Sequence, residues 1–106
     1  MKRYYFLIAS KQFLLHQEPV EEVLRERLRY YSYIKKEVDF YFTTNLDFLE
    51  NADLVHLKQS LTLPSAAIIS LDPQFIDWLK LRIQYGIQGS FVSSSVKISN
   101  NLFITK

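Results

Sequence analysis

Ala66-Ala67-Ile68-Ile69-Ser70-Leu71-Asp72-Pro73-Gln74-Phe75-Ile76-Asp77-Trp78-Leu79-Lys80-Leu81-Arg82-Ile83 is the stretch on which the fold turns. Residues 66–70 form an unbroken apolar run, the pattern of a strand covered on both faces and central in its sheet. Asp72 then offers a side-chain oxygen to cap a helix, and Pro73 suits its first turn. Phe75, Ile76, Leu79 and Ile83 return at helical spacing, with Trp78, Leu81 and Tyr85 broadening the stripe. A helix is therefore expected to about Tyr85, with Gly86 ending it. Strand followed directly by helix is half of a β-α-β unit.

Upstream the same alternation repeats. Residues 3–10, rich in aromatic and β-branched types, read as a buried strand. Residues 11–18 carry Phe13, Leu14 and Leu15 and read as a turn or short helical piece. A helix is expected over 19–33, with Pro19 at its first position and Glu21 and Glu22 at the positive end of its dipole. Val20, Val23, Leu24, Leu28 and Tyr31 make its apolar stripe, and Glu21 and Arg25 form an i, i+4 pair. Lys35-Lys36 ends it. Residues 37–43 alternate as a strand, with Val38, Phe40 and Phe42 on one face and Asp39 and Tyr41 on the other. Residues 45–61 are polar with scattered Leu and suggest one or two short helices, while 90–94 and 101–105 are short β-prone segments. The order is β-α-β-(α)-β-α-β. It predicts an α/β (α+β) sandwich in which one small sheet of four to five strands carries packed helices, either as a three-layer α/β fold or as a split βαβ sandwich. Strand order stays open.

With 106 residues the chain makes a single domain, 1–106, able to bury roughly two-thirds of its unfolded surface. The absence of Cys excludes disulfide scaffolds, thiolate metal sites and cysteine nucleophiles. Two Gly are too few for a phosphate-binding loop or a dinucleotide fingerprint. A net charge of +2 is too small to point to nucleic acid. No apolar run approaches the roughly 20 residues of a membrane span. The N-terminal Met1-Lys2-Arg3 and its short apolar sequel read as a strand rather than a signal peptide, and no transit leader is expected. Aromatics at 15% are high, which favours rings at a partner surface. The excess of residues with A/T-rich codons leans towards a plastid gene.

Reactive constellations are weak. Only His16 and His56 could act as a catalytic base, and no nucleophile elbow accompanies them. Asp53 and His56 at i, i+3 are one imperfect half of a di-iron bundle site, which needs two Glu-x-x-His motifs and two further Glu. The run from Arg25 to Lys36 mixes cations with Tyr30, Tyr31 and Tyr33, as a single-strand nucleic-acid binder would. Glu21, Glu22 and Glu26 lie among those cations, so a solvated helix face explains the run better. Two residues are harder to dismiss: Asp39, a charge in an aromatic strand, and Arg82, on the Trp78 helix with Lys80 on another face. Arg82 either lies over apolar surface nearby or joins an aromatic and a carboxylate in a protein-binding hot spot. The residues thus describe a binding protein without catalytic groups, cofactor or metal.

At these residues the chain resembles a small family of cyanobacteria and plastids: the accessory factor of the aerobic magnesium-protoporphyrin monomethyl ester oxidative cyclase. The resemblance rests on Tyr4-Tyr5, Leu7-Ile8-Ala9-Ser10, Phe13-Leu14, Glu18-Pro19-Val20-Glu21-Glu22-Val23-Leu24-Arg25-Glu26-Arg27, Val38-Asp39-Phe40, Ala67-Ile68-Ile69-Ser70 and, most specifically, Phe75-Ile76-Asp77-Trp78-Leu79-Lys80-Leu81-Arg82 with Tyr85 and Gly89. It implies a role in chlorophyll synthesis, at formation of the isocyclic ring that yields protochlorophyllide. The iron chemistry would belong to a separate membrane-associated di-iron catalytic subunit, which this chain would bind and help accumulate or assemble; other chlorophyll-synthesis enzymes would be further partners. The implied location is the plastid stroma, or the cytoplasm of a cyanobacterium, peripheral to the thylakoid through the partner. Asp39, Phe40 and Arg82 match family positions expected at the binding surface, with Phe40 or a neighbouring ring as anchor and Asp39 and Arg82 orienting it. Asp39 and Phe40 can both reach a partner only at a strand end, bulge or sheet edge. A tetrapyrrole carrier, and less readily a small nucleic-acid module, remain alternatives.

Overall fold

Strand β1 (Lys2–Ser10) is apolar without a break from Tyr4 to Ala9, so that stretch can lie only where both faces of the sheet are covered. It pairs antiparallel with β3 (Ser65–Ser70) on one side and with β4 (Ile87–Ser93) on the other, and β2 (Phe40–Thr43) closes the far edge antiparallel to β3. The strand order is β2-β3-β1-β4. Strands β1 and β2 thus run parallel with β3 inserted between them, and β3 and β4 run parallel with β1 inserted. This is the split βαβ arrangement, with α1 (Val20–Ile34) and α3 (Pro73–Arg82) as its two crossover helices. The computed structural model describes residues 2–17, 20–50, 54–61, 63–83 and 86–93. Pro19, Asp53, Tyr85 and the expected strand at 101–105 lie outside the described residues.

Strand alternation divides the core in two. Leu7, Ala9, Ala66, Ile68, Phe40 and Phe42 face α1 and α3, where Val20, Leu24 and Tyr31 of α1 meet Phe75, Ile76 and Leu79 of α3. Tyr4, Phe6, Ile8, Ala67, Ile69 and Phe91 face the other way. That second face is covered by the excursion between β2 and β3: a 3-10 turn (Asp47–Glu50), α2 (Val55–Ser60) and the Leu residues around them, notably the fully buried Leu49. The scattered leucines of residues 45–61 are therefore a lid on the sheet. Split βαβ connectivity and three layers, alternatives from sequence, coexist here.

Several boundaries differ from the expected ones. The second strand begins at Phe40, not at residue 37, because residues 36–39 form a connector, and Val38 is exposed instead of sharing the Phe40 face. Helix α3 ends at Arg82, three residues early, and Gly86 bonds back to the Ile83 carbonyl at 3.1 Å. Trp78 and Leu81 do not join the buried stripe of α3: they are 45% and 78% exposed. Helix α3 covers one sheet face as a peripheral element, so only one side of it can be buried.

Gly89 lies directly across from Phe6, and the fully buried Phe6 ring runs over the space where a side chain would stand. A Cβ there would sit 2.6 Å from Phe6 Cζ. The ring has little room to retreat, since it packs edge-on against Phe48 at 5.6 Å and lies tilted against Phe91 at 6.2 Å. Gly89→Ala is therefore expected to destabilise the fold by about 1–3 kcal/mol through overpacking, read as a shift of the urea midpoint without a change of slope.

Candidate partner-binding site

The C-terminus of α1 sets up the site. Lys35 adopts a left-handed backbone, φ 60°, where glycine is usual. The Lys36 N–H donates to the Tyr31 carbonyl at 2.9 Å and the Lys35 N–H to the Ser32 carbonyl at 3.2 Å, the paired closure of a Schellman motif. The chain reverses there and delivers Asp39 to the mouth of β2, where its carbonyl accepts the Leu71 N–H at 3.0 Å. Asp39 thus stands at the end of an edge strand, one of the places where it and Phe40 can serve one surface.

The Asp39 carboxylate is held from two sides. The Tyr31 hydroxyl donates to Oδ1 at 2.8 Å, and Lys36 Nζ lies 3.6 Å from Oδ2. Its side chain keeps 19% exposure. Tyr31 in turn accepts from Arg27 Nη2 at 3.0 Å, and the same nitrogen reaches Asp72 Oδ2 at 3.1 Å. Asp72 is the expected N-cap of α3: its Oδ1 accepts the Gln74 N–H at 3.0 Å, and its own N–H donates to the buried Ser70 hydroxyl at 2.9 Å. One guanidinium therefore joins the middle of α1, the start of α3 and, through Tyr31, the entry to β2.

Aromatic rings carry the connection onward. Phe40 is fully buried, edge-on to Tyr31 at 5.5 Å and to Phe75 at 5.7 Å. Phe75 stacks on Trp78 at 6.3 Å, and the Arg82 guanidinium lies 5.4 Å from the Trp78 ring. Arg27 covers the first part of this ladder, its guanidinium carbon 3.7 Å from the Phe75 centroid and 5.1 Å from that of Tyr31. A partly desolvated cation over a ring is worth up to about 2 kcal/mol.

The three residues singled out from sequence thus occupy different stations of one array. Asp39 is at its partly exposed foot and Phe40 in its buried middle. Arg82, exposed on α3, is at its outer end, roughly 15 Å along the helix from Asp72 by helical rise. Phe40 has no exposed surface, and the ring of this array that has open surface is Trp78. Arg27, Tyr31, Asp72 and Phe75 were missed as site residues. A signal for Arg27 existed: it lies three residues after Leu24 and four before Tyr31, inside the apolar stripe of α1. The basic run is also not an open cationic face, because Arg25 pairs with Glu21 at 2.8 Å, Arg27 with Asp72 and Lys36 with Asp39. Among the described residues no group of three or more His, Asp or Glu gathers as metal ligands would, and no helix is long and apolar enough to cross a membrane.

The family model for the Ycf54 protein matches residues 2–93. A ycf54 protein of the red alga Pyropia yezoensis is 45% identical over 105 residues, covering 99% of this chain and 95% of its own. A chloroplastic YCF54 protein of Arabidopsis thaliana is 33% identical over 95 residues, covering 89% of this chain and 44% of its own. The solved structure of a Ycf54 variant from Synechocystis superposes with a TM-score of 0.86 at 36% identity, covering 95% of this chain and 99% of that one.

Burial, with the bond to Asp39, pushes the Tyr31 phenol above its ordinary 10.0, while Arg27 pulls the other way. Burial likewise raises Tyr41. A phenol raised in the folded state favours folding fully below the unfolded value, and that contribution is lost as pH climbs through the folded one. Urea stability is therefore expected to hold up to pH 10 and fall above it, and Tyr31→Phe is expected to flatten part of the fall.

Proposed function

The chain belongs to the Ycf54 family, and on that premise we propose that it is a non-catalytic accessory factor of the aerobic magnesium-protoporphyrin monomethyl ester oxidative cyclase. In this reading it docks on the membrane-associated di-iron catalytic subunit, supports its accumulation or assembly, and so serves isocyclic ring formation in chlorophyll synthesis. It works in the plastid stroma or cyanobacterial cytoplasm, peripheral to the thylakoid through that partner. Relatives from a red alga and from an Arabidopsis chloroplast, and a structural neighbour from a cyanobacterium, are consistent with that setting.

The observation that carries the reading is the outer face of α3. Trp78, Leu81 and Arg82 stand at i, i+3 and i+4, all exposed, so an aromatic, an aliphatic and a guanidinium share one patch. Trp and Arg are the residue types that dominate binding energy at protein interfaces. In the proposed contact Trp78 is the anchor, Arg82 and the open edge of Asp39 orient it, and Phe40 acts from beneath by holding Phe75 in place.

Titration of the purified catalytic subunit tests this. Trp78→Ala is expected to weaken binding by at least about 2 kcal/mol, roughly thirtyfold in Kd, and Arg82→Ala by less, with the fold little changed in either. Phe40→Ala is expected to cost about 3–5 kcal/mol of stability, so its loss of binding would follow loss of structure. Unaltered affinity of folded Trp78→Ala and Arg82→Ala chains would remove α3 from the interface. Tight uptake of the porphyrin ester by the isolated chain in a spectral titration would instead favour a pigment carrier.

A further inference from the structure

We infer that Arg27 is the positioning residue of the partner surface: its guanidinium, bridging Tyr31 and Asp72 across the Phe75 ring, holds the Asp39 connector and the outer face of α3 in one fixed arrangement. The inference rests on the proposed docking through Asp39 and α3 and names the residue that joins those two parts. Asp39 and Arg82 lie on separate elements, one on the connector into β2 and one at the end of α3. The Leu71 N–H bond to the Asp39 carbonyl ties the connector to the start of α3 through the backbone, but it sets neither the Asp39 carboxylate nor the Phe75 ring.

The side-chain route runs through Arg27. Its Nη2 donates both to the Tyr31 hydroxyl at 3.0 Å and to Asp72 Oδ2 at 3.1 Å. Tyr31 is buried and spends its own proton on Asp39. Because Arg27 accepts nothing, it fixes the direction of that proton: the phenol oxygen receives from the guanidinium and must donate to the carboxylate. On the other side, the guanidinium carbon lies 3.7 Å from the centroid of the Phe75 ring, which stacks on Trp78. Lys could supply the charge but not a planar group that lies on a ring while forking to two oxygens.

Two substitutions separate positioning from mere stability. Trp78 is the only tryptophan, so its emission reports on the α3 face directly. In Arg27→Met, measured well below its own unfolding midpoint, the Trp78 emission maximum and anisotropy are expected to shift. The Kd for the catalytic subunit is expected to rise about three- to thirtyfold, the range for substitutions along a coupled network. Arg25→Met, which removes an equal charge two residues away, on the other side of α1 and at an exposed pair, is expected to change neither. Tyr31→Phe keeps the buried ring and deletes only the hydroxyl; it is expected to weaken binding severalfold although the partner cannot touch it. Should Arg27→Met fail to fold, Tyr31→Phe decides. Wild-type affinity in folded Tyr31→Phe, or in folded Arg27→Met, overturns the inference while Trp78→Ala and Arg82→Ala still weaken binding. Wild-type affinity in those two α3 variants as well sinks the docking reading itself.

Discussion

The two central strands, β1 and β3, are apolar on both faces, and everything else in the molecule answers that constraint. A four-stranded sheet with a water-soluble side could have used a tight hairpin between β2 and β3. This sheet cannot, because Phe6, Ile8, Ala67 and Ile69 would then face water. Each fully buried Phe or Ile is worth about 1.5–3 kcal/mol, so uncovering that face would cost an amount comparable to a small domain's entire stability margin. The chain therefore covers that face from the excursion between β2 and β3, through Leu49, Leu57 and Leu61 among others. The same constraint makes Gly89 necessary: Phe6 needs the neighbouring strand to have no side chain at that point.

On the opposite face the constraint has another consequence. Helices α1 and α3 bury Leu24, Tyr31, Phe75 and Ile76 against the sheet, and a guanidinium enters the seam between them. A half-buried cation in an apolar seam is costly unless paired. Asp72, already committed to capping α3, pairs with Nη2 through its second oxygen, and the rings of Phe75 and Tyr31 lie against the guanidinium, while its buried Nε has no hydrogen-bond partner. The directional part of the seam is thus polar: apolar rings would pack in several ways, whereas a fork to two oxygens over a ring has one geometry.

The sequence made the strand–helix rhythm legible because it depends on local signals. The unbroken run at 66–70, the Asp72 cap with Pro73, and the Glu21–Arg25 pair all appear where periodicity puts them. Residues 37–39 read as strand because alternation continues through Val38 and Asp39; only the Schellman turn at Lys35, made without glycine, shows that the chain is still reversing there. Trp78 and Leu81 read as core because hydrophobicity does not say which side of a peripheral helix faces inward. Arg27 failed for the converse reason. Its charge argues for solvent, and the ring and carboxylate that make its inward position tolerable come from α3, 45 residues later.

In the docking proposed above, this division lets Asp39, Phe40 and Arg82 contribute to one surface without touching. Strand alternation sends neighbouring side chains to opposite faces, so a contact reading of Asp39 and Phe40 demanded a special backbone. The ladder removes that demand: in the proposed contact Asp39 would act at the surface through its carboxylate, Phe40 from within as a ring packed edge-on to Phe75, and Arg82 at the far end beside Trp78. On that proposal a buried residue matters to binding as much as an exposed one, since it sets the position at which Trp78 would meet the partner. Positions of this kind are sensitive to sub-ångström changes because a close-packed seam does not deform gradually. The distinction that follows from the proposed docking is chemical: substitutions at Trp78 and Arg82 would remove exposed area of the proposed contact, whereas substitutions at Phe40, Phe75 or Arg27 would disturb the seam beneath it.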